Sequence, residues 1–269
     1  MRATEGKYPG MQTGKDIRVE ERAAGAWWVT IDRVHKHNAL ARSVLRELGE
    51  AVSSVAAAPD ARCIVLSGAG ERFFAAGGDL VDLASVRDEQ ATLDMSNEAR
   101  AALDAVRHCP VPVLAYLNGD AIGGGAELAL ACDMRLQGAK ARIGYVQAKL
   151  AITSAWGGGP DLCQLVGAAR AMRMMSRGEL VDAPQAMAWG LADAIIGENS
   201  ASEDLQAFLA PLLACPPQVL RGIKAQTRAW RQNLPYAERR SIEQQQLLKT
   251  WLHEDHWRFS EKLLSKGKP

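Results

Sequence analysis

Three consecutive glycines, at 123, 124 and 125, lead into a segment with a single carboxylate, Glu127, within NGDAIGGGAELALACD at residues 118–133. Glycine admits backbone geometry and close ligand approach that a side chain forbids. A helix start presents unpaired N–H groups to negative charge. The segment therefore reads as an anion hole with an acid/base group beside it, suited to an enolate oxygen. The same spacing also describes a glycine-rich turn before a buried helix, so a matching second element is required. It occurs at residues 73–80, FFAAGGDL, where small residues again follow a strand and precede a helix. There Gly78 can supply another backbone N–H, and Asp79 reads as the N-cap that holds it in place.

These loops must hang on a frame of strands and helices. A β-rich run at 26–32, AWWVTID, precedes a helical pattern at 40–58 and a strand at 63–67, CIVLS. Residues 68–78 read as a loop and 80–86 as a short helix. A longer helix at 90–108 takes Leu93, Ala101, Leu103 and Val106 as its apolar face. Pro110 and Pro112 stop it before a strand at 113–117. Short strands follow at 134–137 and 142–146, then helices opening at 157–159 and covering 168–175 and 183–189, and a strand at 192–196. From 201 onward the pattern is almost purely helical, broken by Pro216, Pro217 and Pro235. The expected class is α/β, with a flexible N-terminus at 1–16, a core at 17–200 and a C-terminal helical region at 201–269.

Composition narrows the partners. With 32 basic and 31 acidic residues the net charge is +1, which gives no global field for nucleic acid or membrane, so an anionic ligand must be recognised locally. The arginine-rich stretch 221–231 reads as one solvated helix face. Cys63, Cys109, Cys132, Cys163 and Cys215 stand among apolar neighbours without metal-ligand spacing, as expected of buried reduced thiols in a cytoplasmic protein. The first residues lack the apolar centre of a secretion signal, and no run approaches the roughly 18 apolar residues of a membrane span. His253 and His256 have HxxH spacing without supporting ligands, so no metal is expected, and no nucleophile elbow or Walker-type loop occurs.

Taken in order, HNAL at 37–40, FAAGGDL and NGDAIGGGAELALACD resemble the crotonase, or enoyl-CoA hydratase/isomerase, superfamily, and the likeness runs from about Ala26 to the C-terminus. The resemblance implies a spiral of ββα units whose C-terminal helices build homotrimers or hexamers. It implies an acyl-CoA thioester as ligand, with coenzyme A as part of the substrate and no separate cofactor. Gly78 and Gly124 would then bind the thioester oxygen. Ala39, Ala76, Asp79, Leu80, Gln147 and Trp156 would contact substrate. Arg33, His35, Lys36 and His37 lie where members contact CoA, so their charges could meet its phosphates or simply face solvent.

One departure bears on the reaction. Hydratases of this superfamily face the substrate with two glutamates, one at the position of Glu127 and one in a motif resembling IGYVQ at 143–147, where this chain carries Gln147. A neutral amide orients a ligand but cannot act as a base. The change counts against ordinary hydration and against double-bond isomerisation. Decarboxylation demands less, because loss of CO₂ generates the enolate directly and one proton donor, Glu127, completes the reaction. ITSAWGG at 152–158 is similar to a Ser-Trp-Gly-Gly segment of ethylmalonyl-CoA decarboxylase-like members, which also lack the second glutamate. Trp156 reads either as an apolar wall over the acyl group or as a core tryptophan. The expectation is a lyase that decarboxylates a short carboxyacyl-CoA. Its alternatives are a hydratase or isomerase using Glu127 alone, and a non-catalytic acyl-CoA-binding or assembly subunit.

Overall fold

The computed structural model describes residues 14–266. The expected flexible N-terminus at 1–16 falls mostly outside the described residues. Ile17–Ala23 (β1), which the sequence reading passed over, forms a strand antiparallel to Ala26–Ile31 (β2). Its alternation of buried Ile17 and Val19 with exposed neighbours is the mark of an edge strand with one wet face. Arg42–Ala57 (α1) then crosses over to Cys63–Gly68 (β3), which pairs parallel with β2.

From β3 onward the chain repeats one manoeuvre. A strand joins a six-stranded sheet, a short strand joins a four-stranded sheet, and a helix returns. The first unit is β3, Phe73–Ala75 (β4) and Glu89–Arg107 (α2); the second is Val113–Leu117 (β5), Asp120–Ile122 (β6) and Gly124–Ala131 (α3). Met134–Gly138 (β7) and Ile143–Gly144 (β8) begin the third, followed by Gly158–Val166 (α4) and Ala168–Arg177 (α5). Leu180–Val181 (β9), Ala183–Trp189 (α6) and Ala194–Ile196 (β10) close it. The larger sheet has the order β1-β2-β3-β5-β7-β10 and the smaller β4-β6-β8-β9. This is the expected spiral of ββα units.

Segment 68–78, read as a loop, contains β4, and β6 was not anticipated. Both are three residues long, too short for a period-two pattern to stand out from turn-like neighbours. The apolar face of α2 is also corrected. Leu93 is 49% exposed and Ala101 lies outside, whereas Ser96, Ala99, Ala102, Leu103 and Val106 are buried. Small alanines let α2 lie close to α1, so the buried stripe carries fewer large residues than a hydrophobicity pattern seeks.

Every residue of β2 and β3 is buried, because the large sheet is covered on both faces. Trp27, Val29 and Ile31 join Ile64 and Leu66 in the main core against α1, α2 and α3. Ala26, Trp28, Cys63, Val65 and Leu114 face the other way, under Leu205, Phe208, Leu209 and Leu213 of Ala201–Ala214 (α7). Beyond α7 lie Pro217–Arg231 (α8), Tyr236–Trp251 (α9) and Glu254–Lys266 (α10). No helix among the described residues is long and apolar enough to cross a membrane.

The arginine-rich α8 is not a solvated face. Arg221 donates to the carbonyls of Ala56 and Ala58, and Arg228 to that of His108. Lys224, only 3% exposed, clasps both oxygens of Asp133. The cysteines also divide: Cys63, Cys109 and Cys132 are buried, Cys215 is half-buried and Cys163 is exposed, all unbridged. Burial pushes the Cys63 and Cys132 thiols up to about 12.

Candidate functional site

Three neighbouring parallel strands of the small sheet, β4, β6 and β8, end on the same side and deliver their following residues to one place. Strand β4 leads to Gly77 and Gly78, β6 leads to the glycine run, and β8 leads to Tyr145 and Gln147. Cross-links fix these ends to one another. The Gly123 N–H donates to the Gly144 carbonyl (2.8 Å), and the Leu40 N–H donates to the Gly77 carbonyl (2.7 Å).

The Leu40 bridge settles the direction of Gly78. It uses the carbonyl of Gly77 and the N–H of Asp79, which donates to Leu40 (3.2 Å). In extended backbone the Gly78 N–H between them points the opposite way, away from Leu40. Gly123 is the N-cap of α3 at φ +56°, so Gly124 opens the helix with an N–H that has no intrahelical partner. Among the described residues neither the Gly78 nor the Gly124 N–H has an acceptor. The two loops are close: a methyl built on Gly77 would lie 3.5 Å from the Gly124 nitrogen. Gly77 itself sits at φ +99°, where a side chain would be strained.

Asp79 caps the turn after this glycine pair, as expected. One oxygen accepts from Val81 (3.1 Å) and Asp82 (3.4 Å), and the other from Arg33 (3.2 Å). Burial works against its charge, but the Asp82 amide and the Arg33 guanidinium prevail and hold the carboxyl below its ordinary range. Its oxygens are spent within the protein, so it supports Gly78 rather than reaching outward. Arg33 is likewise turned inward, bound to Asp79, to Asp16 (3.3 Å) and to the Ala39 carbonyl (2.5 Å). That corrects the idea that it meets a phosphate. His35, Lys36 and His37 are exposed, as is Leu80 at the rim, whereas Ala39 and Ala76 are half-buried.

Asn38 is a residue that sequence reasoning quoted but did not use. Held at φ +55°, it donates to the carbonyls of Ala69 and Phe73 and accepts from Arg33, joining the first loop to β4. Its presence in a left-handed turn was the available signal.

Glu127, 2% exposed, lies one turn into α3. Its Oε2 accepts from the backbone N–H groups of Trp156 and Gly158, both at 2.9 Å, and its Oε1 accepts from Gln147 Nε2, also at 2.9 Å. Burial is the largest influence and raises its pKa above the ordinary carboxylate value; the hydrogen bonds from Gly158, Trp156 and Gln147 oppose it without cancelling it. Gln147 therefore does contact Glu127, through one of its two amide N–H groups. Its Oε1 is buried without a partner.

Trp156 is 7% exposed, and its benzo edge lies across both glycines. A methyl on Gly124 would come within 2.2 Å of Cζ3, and one on Gly78 within 3.6 Å of Cη2 and Cζ2. The indole thus packs against both glycines and is part of the core. Tyr145 is buried and donates to the Gly158 carbonyl (2.7 Å). Burial first, and the Glu127 charge second, push its phenol well above the ordinary value, so it stays neutral. Gly158 must be glycine, because a Cβ there would lie 2.4 Å from the Tyr145 hydroxyl and 2.5 Å from Glu127 Cγ.

Among the described residues no group of three or more His, Cys, Asp or Glu could hold a metal. His253 instead contacts Gln218 and Asp255, and His256 stacks on Trp251.

The chain and its fold have known counterparts. The chain is 30% identical over 230 residues to the enoyl-CoA hydratase/isomerase-family protein YngF of Bacillus subtilis, covering 79% of this chain and 87% of that one. It is 32% identical to rat mitochondrial methylglutaconyl-CoA hydratase over 70% of this chain and 61% of the rat protein, so the match spans about three fifths of that relative. It is 27% identical to chicken ethylmalonyl-CoA decarboxylase over 81% of this chain and 74% of that one. The crystal structure of an enoyl-CoA hydratase from Bacillus anthracis superposes with a TM-score of 0.87 at 26% identity, covering 95% of this chain and 98% of that one. The enoyl-CoA hydratase/isomerase family model matches residues 21–268, and the chain belongs to that family, the crotonase superfamily.

Proposed function

We propose that this chain is an acyl-CoA lyase that decarboxylates a short carboxyacyl-CoA through a thioester enolate. The observation that carries this reading is the bond from Gln147 Nε2 to Glu127 Oε1: at the position of a second carboxylate stands an amide, which cannot act as a base and gives one of its N–H groups to the first. One acid/base group then remains, enough for protonation of an enolate but half of what concerted addition of water uses. Similarity to both a decarboxylase and a hydratase leaves either chemistry open to a family member, and Gln147 favours the first.

The steps follow from the site. The thioester oxygen is received by the N–H groups of Gly78 and Gly124, with the start of α3 adding a favourable field. These donors bind a developing enolate oxygen more strongly than a neutral carbonyl, and each is worth about 2.7–4 kcal/mol of barrier. The bond from the α-carbon to the carboxylate breaks, its electron pair enters the enolate, and CO₂ leaves. Glu127 in its protonated form gives its proton to the α-carbon and is recharged from solvent. The proton rides on Oε1, because Oε2 already accepts two N–H bonds. Burial raises the pKa of Glu127 above the ordinary carboxylate value, which favours the proton-carrying form more than in an exposed glutamate. The Trp156 face keeps water from the departing carboxylate.

Incubation with a panel of carboxyacyl-CoA esters and with crotonyl-CoA, read by mass spectrometry, tests this. Loss of CO₂ from a carboxyacyl ester is expected. Water addition to crotonyl-CoA without any decarboxylation would overturn the proposal in favour of hydration through Glu127 alone. Tight binding without turnover would point to a binding subunit.

A further inference from the structure

The two N–H groups that hold Glu127 belong to a short loop, Trp156 to Gly158, and that loop is clamped from behind. Helix α2 presents Ser96, Arg100 and Arg107 along one side. Ser96 Oγ and Arg100 Nε donate to the Ala155 carbonyl at 3.0 and 2.8 Å. Arg107 Nη2 donates to the Trp156 carbonyl at 3.0 Å. Trp156 is therefore gripped on both sides, its N–H by Glu127 and its carbonyl by Arg107. Gly157 completes the fit, at φ +92°, where a Cβ would lie 2.8 Å from Arg107 Nη2.

Arg107 is itself fixed. Its side chain is 11% exposed and binds Asp161 Oδ2 at 2.9 Å and Asp104 at 2.8 Å. Asp161, in the first turn of α4, is 8% exposed and gives its other oxygen to Arg231 at 2.8 Å. Arg231, the last residue of α8, also donates to the carbonyls of Leu130, Ala131 and Cys132 at the far end of α3. A buried chain of contacts thus runs from α8 through Asp161 and Arg107 to the loop on Glu127.

We propose that Arg107, locked by Asp161 and braced by Arg231, is a positioning residue that sets the protonation of Glu127 through the Trp156–Gly158 backbone. A loop free to withdraw would take two N–H donors from the carboxylate, and those donors favour its charged form. Arg107 forks between a carboxylate and a carbonyl, a task a lysine point charge cannot duplicate. Other groups facing Glu127 are few. Tyr145 stays neutral, Asp161 is neutralised by two arginines, Asp120 of β6 is bound to Arg142, and β4 contributes no ionisable side chain.

The proposal rests on Glu127 as the proton carrier, so its test reads Glu127 directly. In the full-length protein, infrared difference spectra against Glu127→Gln isolate the Glu127 carboxyl band, and its midpoint is followed with pH. In Arg107→Lys, with a native circular dichroism spectrum, the midpoint is expected to rise by at least one pH unit. Although the protonated fraction grows, a carboxyl released by its loop is no longer held against the α-carbon, so the decarboxylation kcat is expected to fall at least tenfold, with KM within about threefold. Should Arg107→Lys not fold, Asp161→Asn, which keeps a hydrogen-bonding group in place, carries the same readout in the same direction. An unmoved midpoint in a folded variant overturns the proposal, whatever happens to the rate. If no CoA ester is turned over by the wild type, the functional reading fails, while the midpoint still decides the positioning role.

Discussion

Gln147→Glu is the substitution that separates the two chemistries open to this site. It replaces an amide nitrogen that donates to Glu127 Oε1 at 2.9 Å with a carboxylate oxygen at about the same place. Two negative charges at that separation repel by about 5–6 kcal/mol at an effective dielectric constant of about 20. That corresponds to a bias of about ten-thousand-fold toward keeping one proton between them. The pair then titrates as a unit with two widely separated apparent values, and across the neutral range it holds one acid and one base. Those are the parts that addition of water to an enoyl thioester uses. Hydration of crotonyl-CoA is therefore expected to rise at least 100-fold above wild type, within the range that a positioned acid/base group supplies. Its pH profile should become bell-shaped. Decarboxylation should fall, since the proton Glu127 would give is now shared. The assay pairs loss of enoyl absorbance with CO₂ release across pH 5–9. If the variant shows neither new hydration nor a changed pH profile, Gln147 does not face Glu127 in the working protein. The reasoning that assigns decarboxylation would then lose its support.

Three further outcomes follow from the same geometry. Gly124→Ala places a methyl 2.2 Å from Trp156 Cζ3 and must displace the indole, whereas Gly78→Ala meets Leu83 Cδ1 at 3.0 Å and touches Trp156 at an ordinary 3.6 Å; kcat should fall about 10²–10³-fold in the first, the cost of one oxyanion donor, and less than tenfold in the second. For Glu127→Gln, the sign is set by burial, which raises the carboxyl's pKa in the folded chain; the wild-type group's stabilising contribution is complete at low pH and is lost as pH rises from the ordinary carboxylate range through the folded value. The variant should thus show a higher Tm than wild type at pH 8 and no advantage near pH 4, with turnover abolished at both. Lys224→Met leaves the Asp133 carboxylate with the Val113 N–H but no cation, and should cost about 3–5 kcal/mol in a urea melt, with much of it recovered when Asp133→Asn is added.

Much of the site was legible because glycine carries local information. Gly78 and Gly124 stand where a turn, a helix start and a close approach coincide, and each demand acts within a few residues of the glycine itself. Glu127 could be named for the same reason. Arg107 could not. Arg107 reads as an exposed cation at the end of a helix, and only the arrival of α4 some fifty residues later gives it Asp161 and the Trp156 carbonyl. Arg221, Lys224 and Arg231 misled in a similar way. Their spacing is that of a wet helix face, yet each has a partner on the core, drawn from α1, the residue before β7, or α4. Long side chains carry charge to distant partners, and their own helix gives no sign of it. The large-sheet strands other than β1 were found from their apolar runs, whereas β4 and β6 were lost because three residues hold too little pattern.

Helix α3 has no solvent-facing side: all eight of its residues are buried, and a Cβ on Gly125 would lie 2.1 Å from the Ala75 carbonyl oxygen. Folding and chemistry therefore constrain the same eight positions. In a library built on a catalytically dead Glu127→Gln background and selected only for a folded product, Gly125 and the buried alanines should remain fixed. Gly124 should be released as soon as Trp156 is replaced by a smaller residue. Invariance along most of this helix is thus a record of packing, and Gly124 is where loss of turnover would first register as freedom to vary.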